Sequence, residues 1–291
     1  METKVVSPQG KEIIIGDHRP IVLIGERINP FGKGPLKEAM KSGAMGPIQA
    51  EALRQVEAGA DILIVSTAAF GLDENVVLPQ VTKAVMGAVD VPLCLESRNP
   101  QALEKTLKLG CGKPIISSVT GEEAIQEQIL PLIKQYKTAL VILASDASGI
   151  PNNAAKRVDI ISTIVKKAQE AGIGAEDLLA DCVAESSAVN PMAAITTLET
   201  MKRVREQWGL NMVLGASNVS FGLPSRTVIN AVFLSLAIQT GLTSAIVNAK
   251  LMKPYILAID LLMGRDHRAR RYTGYCRTIL KPPVHKGSSE G

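Results

Sequence analysis

The sequence predicts a single-domain α/β protein, a (β/α)8 barrel of the TIM type, on three observations. Eight short apolar runs alternate with segments of helical periodicity along the 291 residues, as expected for parallel strands joined by crossover helices. The apolar residues are mainly Ala, Val, Ile and Leu, which sheets covered on both faces favour. The length is close to the roughly 250 residues typical of such a barrel. Eight units, rather than five or six, favour closure over a doubly wound open sheet.

The predicted strands are apolar and β-rich, and a helical segment follows each of them. They comprise residues 21–26, 61–67, 91–97, 113–119, 138–146, 177–182, 211–218 and 244–249. Helical periodicity is clear in the stretch that begins at residue 226, where one helix face is predicted at the i, i+3, i+4 spacing from Ile229, Val232, Phe233, Leu236 and Thr240. Pro224 is expected to start this helix, since a proline at the first helical position lacks no N–H that the helix needs.

The two ends of the chain depart from this alternation. Residues 1–20 are expected to form a short hairpin that caps the bottom of the barrel, and residues 276–291 a frayed tail. Residues 21–275 then form the barrel. No stretch rich in Pro, Gly or Ser interrupts them, so one domain is predicted.

Composition argues against several classes of function. The net charge of +4 is small, and the basic cluster at 264–272 lacks the broad stripe and stacking aromatics of a nucleic-acid site. No apolar run of about 18 residues predicts a membrane span, and the N-terminus lacks the apolar core of a signal peptide. Three histidines near the termini argue against a His-rich metal site. A cytoplasmic protein is predicted, with four reduced thiols: Cys94, Cys111, Cys182 and Cys276.

Polar side chains cluster where the predicted strands end. In a barrel these ends meet at one mouth, where active sites are built. The set includes Glu26, Ser66, Glu96, Ser117, Asp146, Asp181, Ser217, Asn218 and Asn248. The mouth is therefore the predicted binding site.

The carboxylates in this set need partners, because an unpaired buried charge is costly. Each could pair with a nearby arginine or cap a helix. A hard metal ion would prefer several oxygens at defined spacing, and no short acidic motif is present. A ligand rich in N–H donors is the other partner: a 2-amino-4-oxo pyrimidine ring offers adjacent N–H groups that a carboxylate accepts in a forked arrangement.

Four blocks of sequence resemble the pterin-binding methyltransferase family. They are "LIGERIN" at 23–29, "LCLES" at 93–97, "SGIP" at 148–151 and the stretch 214–246, which begins "LGASNVSFG". That family includes the methyltetrahydrofolate–corrinoid protein methyltransferases and the folate module of cobalamin-dependent methionine synthase. The resemblance implies a barrel that holds tetrahydrofolate or 5-methyltetrahydrofolate at its mouth and passes a methyl group between N5 and a corrinoid cobalt.

The resemblance also implies roles for individual residues. Asn218 matches the asparagine that assists near N5 and is the predicted catalytic residue; Ser220 is expected to serve only the turn. The predicted folate-binding residues are Glu26, Glu96, Ser117, Asp146, Asp181, Gly215, Ser217 and Arg226. No metal ligand is predicted.

The ends of three predicted strands depart from the family pattern. The second strand ends in Ile64 and Ser66 where the family commonly has an Asp-x-Asn pattern, Ser117 replaces an asparagine, and Glu96 replaces an aspartate. These departures suggest a divergent subgroup, one that moves the methyl group from methylcobamide to tetrahydrofolate in catabolic demethylation.

The resemblance implies two partners. The chain lacks the Asp-x-His-x-x-Gly signature for holding cobalamin, so the corrinoid is expected on a separate protein that docks transiently at an open mouth. A homodimer through the seventh and eighth helices is expected by analogy with the family.

Other functions stay open at this point. Dihydropteroate synthase is a related pterin enzyme, but "GERINPFG" stands where its Asn-x-Thr-Pro-Asp-Ser-Phe-Ser stretch is needed and "VNAK" where its Arg-x-His is needed. A non-catalytic folate-binding protein is a second alternative. An aldolase-type barrel would need a lysine inside a strand, whereas Lys250 follows the last strand.

Overall fold

Eight parallel strands close into a barrel in a computed structural model that describes residues 1–31, 34–69 and 71–279. A two-stranded antiparallel hairpin precedes the barrel. The hairpin strands are β1 (Glu2–Val6) and β2 (Glu12–Gly16). The barrel strands are β3 (Val22–Ile28), β4 (Ile62–Ser66), β5 (Leu93–Glu96), β6 (Ile115–Val119), β7 (Ala139–Leu143), β8 (Leu178–Asp181), β9 (Asn211–Gly215) and β10 (Ser244–Val247). The predicted (β/α)8 barrel is confirmed.

Helices connect these strands and cover the outside of the barrel. They are α1 (Pro35–Ser42), α2 (Gly46–Glu57), α3 (Glu74–Ala88), α4 (Pro100–Leu107), α5 (Glu123–Tyr136), α6 (Ala154–Glu170), α7 (Ala193–Trp208), α8 (Arg226–Thr240), α9 (Ala249–Leu262) and α10 (Arg270–Ile279). Strand neighbours run β10, β3, β4 and onward to β9, which pairs again with β10. The sheet therefore has no open edge, the property that distinguishes a barrel from an open sheet.

Apolar side chains fill two layers. Inside the barrel, Ile24, Ile64, Cys94 and Val213 pack together, all nearly inaccessible to solvent. A larger layer lies between the outer faces of the strands and the inner faces of the helices. This double burial is why the strands are almost wholly apolar instead of alternating.

The N-terminal hairpin lies across the bottom of the barrel. Val5 and Ile15 are fully buried against the interior layer. The Asn211 amide donates to the Thr3 hydroxyl at 2.9 Å and to the Ile15 carbonyl at 3.1 Å. The bottom is thus sealed by apolar contact and buried hydrogen bonds, which leaves the carboxyl ends of the strands as the open end.

Two details of the predicted elements were wrong. α8 begins at Arg226 and not at Pro224, because Ser225 adopts a left-handed φ of 51° that interrupts the helix. Of the predicted buried face, Phe233 is buried and Ile229 and Thr240 are partly buried, but Val232 and Leu236 are exposed. α8 is apolar almost all round, so the helical spacing matched more than one face.

The C-terminal end of the chain is helical up to residue 279, so residues 276–279 of the predicted tail continue α10. Residues 280–291 lie outside the described residues. Within the described ranges, the longest and most apolar helices still fall short of what is required to cross a membrane.

Candidate active site

The mouth is formed by the carboxyl ends of the barrel strands and the loops that follow them. All eight strands are parallel, so their ends lie on one rim. Several of the predicted residues do meet there, although Asp146 is engaged differently from the others.

Asp181 is the last residue of β8 and is mostly buried. Its Oδ1 accepts a hydrogen bond from the Val183 N–H at 2.8 Å. Burial raises the pKa of this carboxyl to about 7; the Val183 bond and the Arg157 charge oppose the rise, and the Glu96 charge adds to it. Asp181 therefore changes charge near neutral pH and has room for further donors.

Glu96 ends β5, between Ser66 of β4 and Ser117 of β6 in the strand register. Burial raises the pKa of its carboxyl, a hydrogen bond from Ser66 lowers it, and the charge of Glu74 raises it further. The three strand ends that depart from the family pattern are thus direct neighbours. Ser66 lies close enough to Glu96 to lower the pKa of its carboxyl, and Ser117 has the same effect on the buried thiol of Cys94.

Unsatisfied polar atoms lie beside Glu96. The Thr67 hydroxyl and one carboxylate oxygen of Glu74 are buried and have no hydrogen-bond partner among the residues that the structure describes. Buried polar groups are normally paired. This side of the mouth is therefore suited to a ligand with polar edges.

Glu26 in β3 faces the turn after β9. Ser217 Oγ donates to both of its carboxylate oxygens, at 3.0 and 3.3 Å. Burial raises the pKa of Glu26, whereas the Ser217 bond, the charges of Arg27 and Arg226 and the Asn248 N–H lower it. Glu26 and Ser217 thus tie opposite sides of the β10 strand end together.

Asn218 lies in a short 3-10 turn, Ala216–Ser220, directly after β9. Its side chain is exposed and lies against the end of the strand, where a Cβ on Gly215 would be 3.1 Å from its Nδ2. That approach is tighter than most real contacts, so Gly215 leaves room for the amide. In front of Asn218 is a cavity of about 330 Å³, lined also by Glu185, Val189 and Phe221 among others.

Arg226 holds this turn in place. As the first residue of α8, it donates from Nη2 to the Ser217 carbonyl at 2.7 Å and from Nε to the Ser220 hydroxyl at 3.0 Å. Its guanidinium lies 5.8 Å from the ring centre of Phe221, within cation–π range. These contacts explain why an arginine begins the helix after the turn.

Asp146 lies at the rim, but its carboxylate stabilises its own loop. Oδ1 accepts from the Ser148 N–H at 2.8 Å and from the Ser148 hydroxyl at 2.6 Å. These bonds lower the pKa of Asp146. It lines a separate cavity of about 560 Å³ at the start of α6, away from the cavity of Asn218.

Sequence reasoning missed Arg157. This side chain is fully buried in α6 and hydrogen-bonds loop carbonyls next to Asp181. A signal was present: Arg157 occupies a position on the apolar face that also contains Ala154, Ile161 and Ile164. A charged residue on a core face requires buried partners.

Metal coordination finds no support in the described ranges, where no three His, Cys, Asp or Glu side chains are grouped to hold an ion. The four cysteines, all described, are free thiols.

A family model described as pterin binding enzyme matches residues 27–248, from within β3 to the residue after β10. The chain belongs to this family. The family that the sequence blocks predicted is confirmed. The match extends from the residue after Glu26 to Asn248, so it covers nearly every predicted site position.

Curated relatives of this pterin binding enzyme are methyltransferases. The methylcorrinoid:tetrahydrofolate methyltransferase of Eubacterium limosum is 31% identical over 272 residues, covering 91% of this chain and 99% of the relative. The methionine synthase of Mycobacterium tuberculosis is 27% identical over 247 residues, 80% of this chain but only 21% of that protein. The predicted enzyme class, a methyltransferase, is confirmed.

Solved structures similar to this pterin binding enzyme share its fold. Dihydropteroate synthase of Xanthomonas albilineans, with 4-aminobenzoic acid, gives a TM-score of 0.71 at 17% identity over 90% of this chain and 99% of that one. The Yersinia pestis dihydropteroate synthase gives 0.68 at 14% identity over 91% and 100%. At such identity the likeness shows the barrel alone.

Proposed function

We propose that this enzyme transfers a methyl group from the cobalt of a corrinoid protein to N5 of tetrahydrofolate, in a catabolic demethylation system. The observation that carries the proposal is the 31% identity, over nearly the full length of both chains, to the methylcorrinoid:tetrahydrofolate methyltransferase. The polar mouth supports it, because buried carboxylates there have few donors of their own.

Asp181 and Glu96 are proposed to grip the pterin ring. Neither carboxylate forms an ion pair within the described part of the chain, and each has a pKa raised by burial. The adjacent N–H groups of a 2-amino-4-oxo pyrimidine edge would supply the missing donors in a forked arrangement. The unpartnered Thr67 hydroxyl offers a further contact on the same side.

Asn218 and Glu26 are proposed to act at N5. When tetrahydrofolate accepts a methyl group, N5 would bond to the methyl carbon as the cobalt–carbon bond breaks, the cobalt would keep the electron pair of that bond, and N5 would release its proton. The Asn218 amide would hold N5 or a water molecule and stabilise the charge that develops there. An amide does not titrate, so the proton requires another acceptor. Glu26 is suited to that role because its pKa is raised and it is hydrogen-bonded to Ser217, the neighbour of Asn218.

A corrinoid protein is proposed to dock at the mouth, and its cobalt supplies the bound methyl group. Exposed apolar side chains project from four loops of the rim: Phe31, Ile150, Val189, Met192 and Phe221. Exposed apolar groups around a functional opening are typical of interaction sites. Val189 and Phe221 line the cavity in front of Asn218, so a partner seated on them would face the catalytic amide.

A homodimer is also proposed. Val228, Val232 and Leu236 form an exposed stripe on α8, and Leu251 and Tyr255 are exposed on the neighbouring α9. Burying this face against a second copy would remove it from water. Light scattering should give twice the monomer mass, and Val232→Glu should reduce it to the monomer mass. A wild-type monomer would contradict the proposal.

The cytoplasm is the proposed location. Four free thiols in this chain fit a reducing compartment, where disulfides rarely form.

The test is an absorbance assay with methylcobalamin and tetrahydrofolate. We expect loss of methylcobalamin, formation of 5-methyltetrahydrofolate and dependence on enzyme concentration. The same assay run in reverse compares the two directions. Tight tetrahydrofolate binding without turnover in either direction would favour a folate-binding protein, and condensation of 4-aminobenzoate with a pterin would favour a dihydropteroate synthase.

A further inference from the structure

The loop between β8 and α7 contains a backbone conformation that is costly for its residue type. Val183 has a φ of 60°, in the left-handed region that β-branched residues rarely adopt. Such conformations persist only where their surroundings hold them, and they cluster at functional sites. Val183 lies two residues after Asp181, and its N–H is the donor to the Asp181 carboxylate at 2.8 Å. The strained residue therefore determines how Asp181 is hydrogen-bonded.

A buried arginine and a threonine hold this conformation. Nη1 of Arg157 donates to the carbonyls of Cys182 and Val183, at 2.9 and 2.8 Å. Thr197 Oγ1 of α7 donates to the same Val183 carbonyl at 2.8 Å. Three hydrogen bonds from two side chains thus hold the Cys182 and Val183 carbonyls, and the Val183 N–H is left directed at Asp181.

The same guanidinium connects two loops of the mouth. Nε of Arg157 donates to the Pro151 carbonyl in the loop before α6, at 2.8 Å. Nη2 pairs with the carboxylate of Glu185, which lines the cavity in front of Asn218. Because every part of this buried guanidinium is bonded, its position is fixed independently of solvent.

Charged groups act on Asp181 from two packed elements. Arg157 from α6 favours the ionised form, and Glu96 from β5 opposes it. On its own strand, the adjacent Cys182 is a buried thiol whose pKa is raised, so it stays neutral. Glu185 partly neutralises Arg157. Burial raises the pKa of Asp181 to about 7, and the Val183 hydrogen bond and these charges then influence its ionisation near neutral pH.

We propose that Arg157 is a positioning residue that acts through Val183 to hold the Asp181 carboxylate oriented and ionised for accepting pterin N–H groups. The consequence for folate binding rests on the proposed function, whereas the effect on Asp181 itself does not. Arg157 is fully buried, so its influence passes through the Val183 peptide and through its charge.

The first experiment titrates Asp181 in the full chain without folate. Aspartate is labelled with carbon-13 at the side-chain carboxyl, and the Asp181 signal is identified by its loss in Asp181→Asn. We expect the titration midpoint to rise by at least about one pH unit in Arg157→Met, because an opposite charge nearby is lost. Arg157→Lys keeps the charge and should shift it less. Glu185→Gln should move the midpoint downward, since Arg157 then acts without its neutralising partner.

The second experiment measures tetrahydrofolate binding by calorimetry between pH 6 and 9. Wild-type affinity should increase as pH rises through about 7, when Asp181 ionises. In Arg157→Met the whole profile should move to higher pH, with roughly tenfold weaker binding at pH 7.5. A merely structural role would weaken binding at every pH without moving the profile. Arg203→Met, which removes an exposed arginine paired with Glu199 on α7, is the control and should match wild type.

Thr197→Val keeps the proposal testable if Arg157→Met does not fold. This near-isosteric change removes one donor to Val183 and should raise the midpoint slightly. An unchanged Asp181 midpoint in folded Arg157→Met, or in Thr197→Val and Glu185→Gln together, overturns the proposal. Wild-type folate affinity in Asp181→Asn would instead overturn the proposed folate role, while the titration would still decide the role of Arg157.

Discussion

Two asparagines at opposite ends of β9 have opposite surroundings. Asn211, at the start of the strand, is fully buried, and its amide is bonded to the N-terminal hairpin. Asn218, just beyond the end of the strand, is exposed and faces a cavity. The same side chain thus serves the fold at the bottom of the barrel and is free for chemistry at the mouth. Residue type alone therefore does not separate the two roles, whereas burial and the bonded amide nitrogen of Asn211 do.

Carboxylates show the same contrast. At the bottom, buried Asp260 accepts from the Ile21 N–H and pairs with Arg271 at 2.7 Å. At the mouth, Glu96 is assisted by a serine hydroxyl and repelled by Glu74. Asp260 forms an ion pair and stabilises the fold, whereas Glu96 forms no ion pair among the described residues and is available for a ligand.

The largest expected effect is on catalysis in Asn218→Ala. We expect methyl transfer to slow by about 100-fold or more, the usual cost of removing a positioned group that stabilises transition-state charge. The melting temperature should not change, because the side chain is exposed. The methylcobalamin assay and thermal unfolding measure the two quantities. Unchanged turnover would remove Asn218 from the catalytic role.

Asp181→Asn is expected to weaken tetrahydrofolate binding by about 1.5–3 kcal/mol, the contribution of hydrogen bonds to a charged group. The same substitution should increase the stability of the folded protein above neutral pH. The folded-state pKa of Asp181, about 7, exceeds the ordinary 3.8, so the wild type loses stability as pH rises from 3.8 through 7. The variant should therefore unfold at higher temperature than wild type at pH 8, but not at pH 4. Calorimetry gives both values, and equal affinity would place Asp181 outside the site.

Asn211→Ala tests whether the asparagine at the start of β9 contributes to stability and not to catalysis. We expect a loss of about 1–3 kcal/mol in the free energy of unfolding, because buried partners in the hairpin lose their donor. Turnover per folded molecule should stay at the wild-type value. Denaturant unfolding and the methyl-transfer assay test this, and a variant that lost activity but kept its stability would reverse the comparison.

The smallest effect is expected for Ser217→Ala. Removing its hydroxyl takes away the hydrogen bond that lowers the pKa of Glu26. The free energy of unfolding should fall by about 0.5–1.5 kcal/mol. The pKa of Glu26 should rise further, so the rate of methyl transfer should reach its plateau at a higher pH. A pH–rate profile identical to that of the wild type would separate Glu26 from the proton path.

The sequence by itself determined the barrel, because eight apolar runs with intervening helical periodicity have few other ways to be buried. It also determined the rim, since parallel strands bring their polar ends together, and the blocks around Glu26, Glu96 and Asn218 pointed to a pterin binding enzyme. These features depend on the pattern of neighbouring residues, which can be read directly from the linear sequence.

Only the tertiary structure decided which polar groups are already satisfied. Asp146 and Asp181 follow neighbouring strands with similar patterns, yet one is bonded to Ser148 and the other is buried beside Glu96. Arg157 and Val183 meet across 26 positions of sequence, which no local pattern encodes. Burial, partners and charge balance are properties of spatial neighbours, so they appear only once the chain is folded.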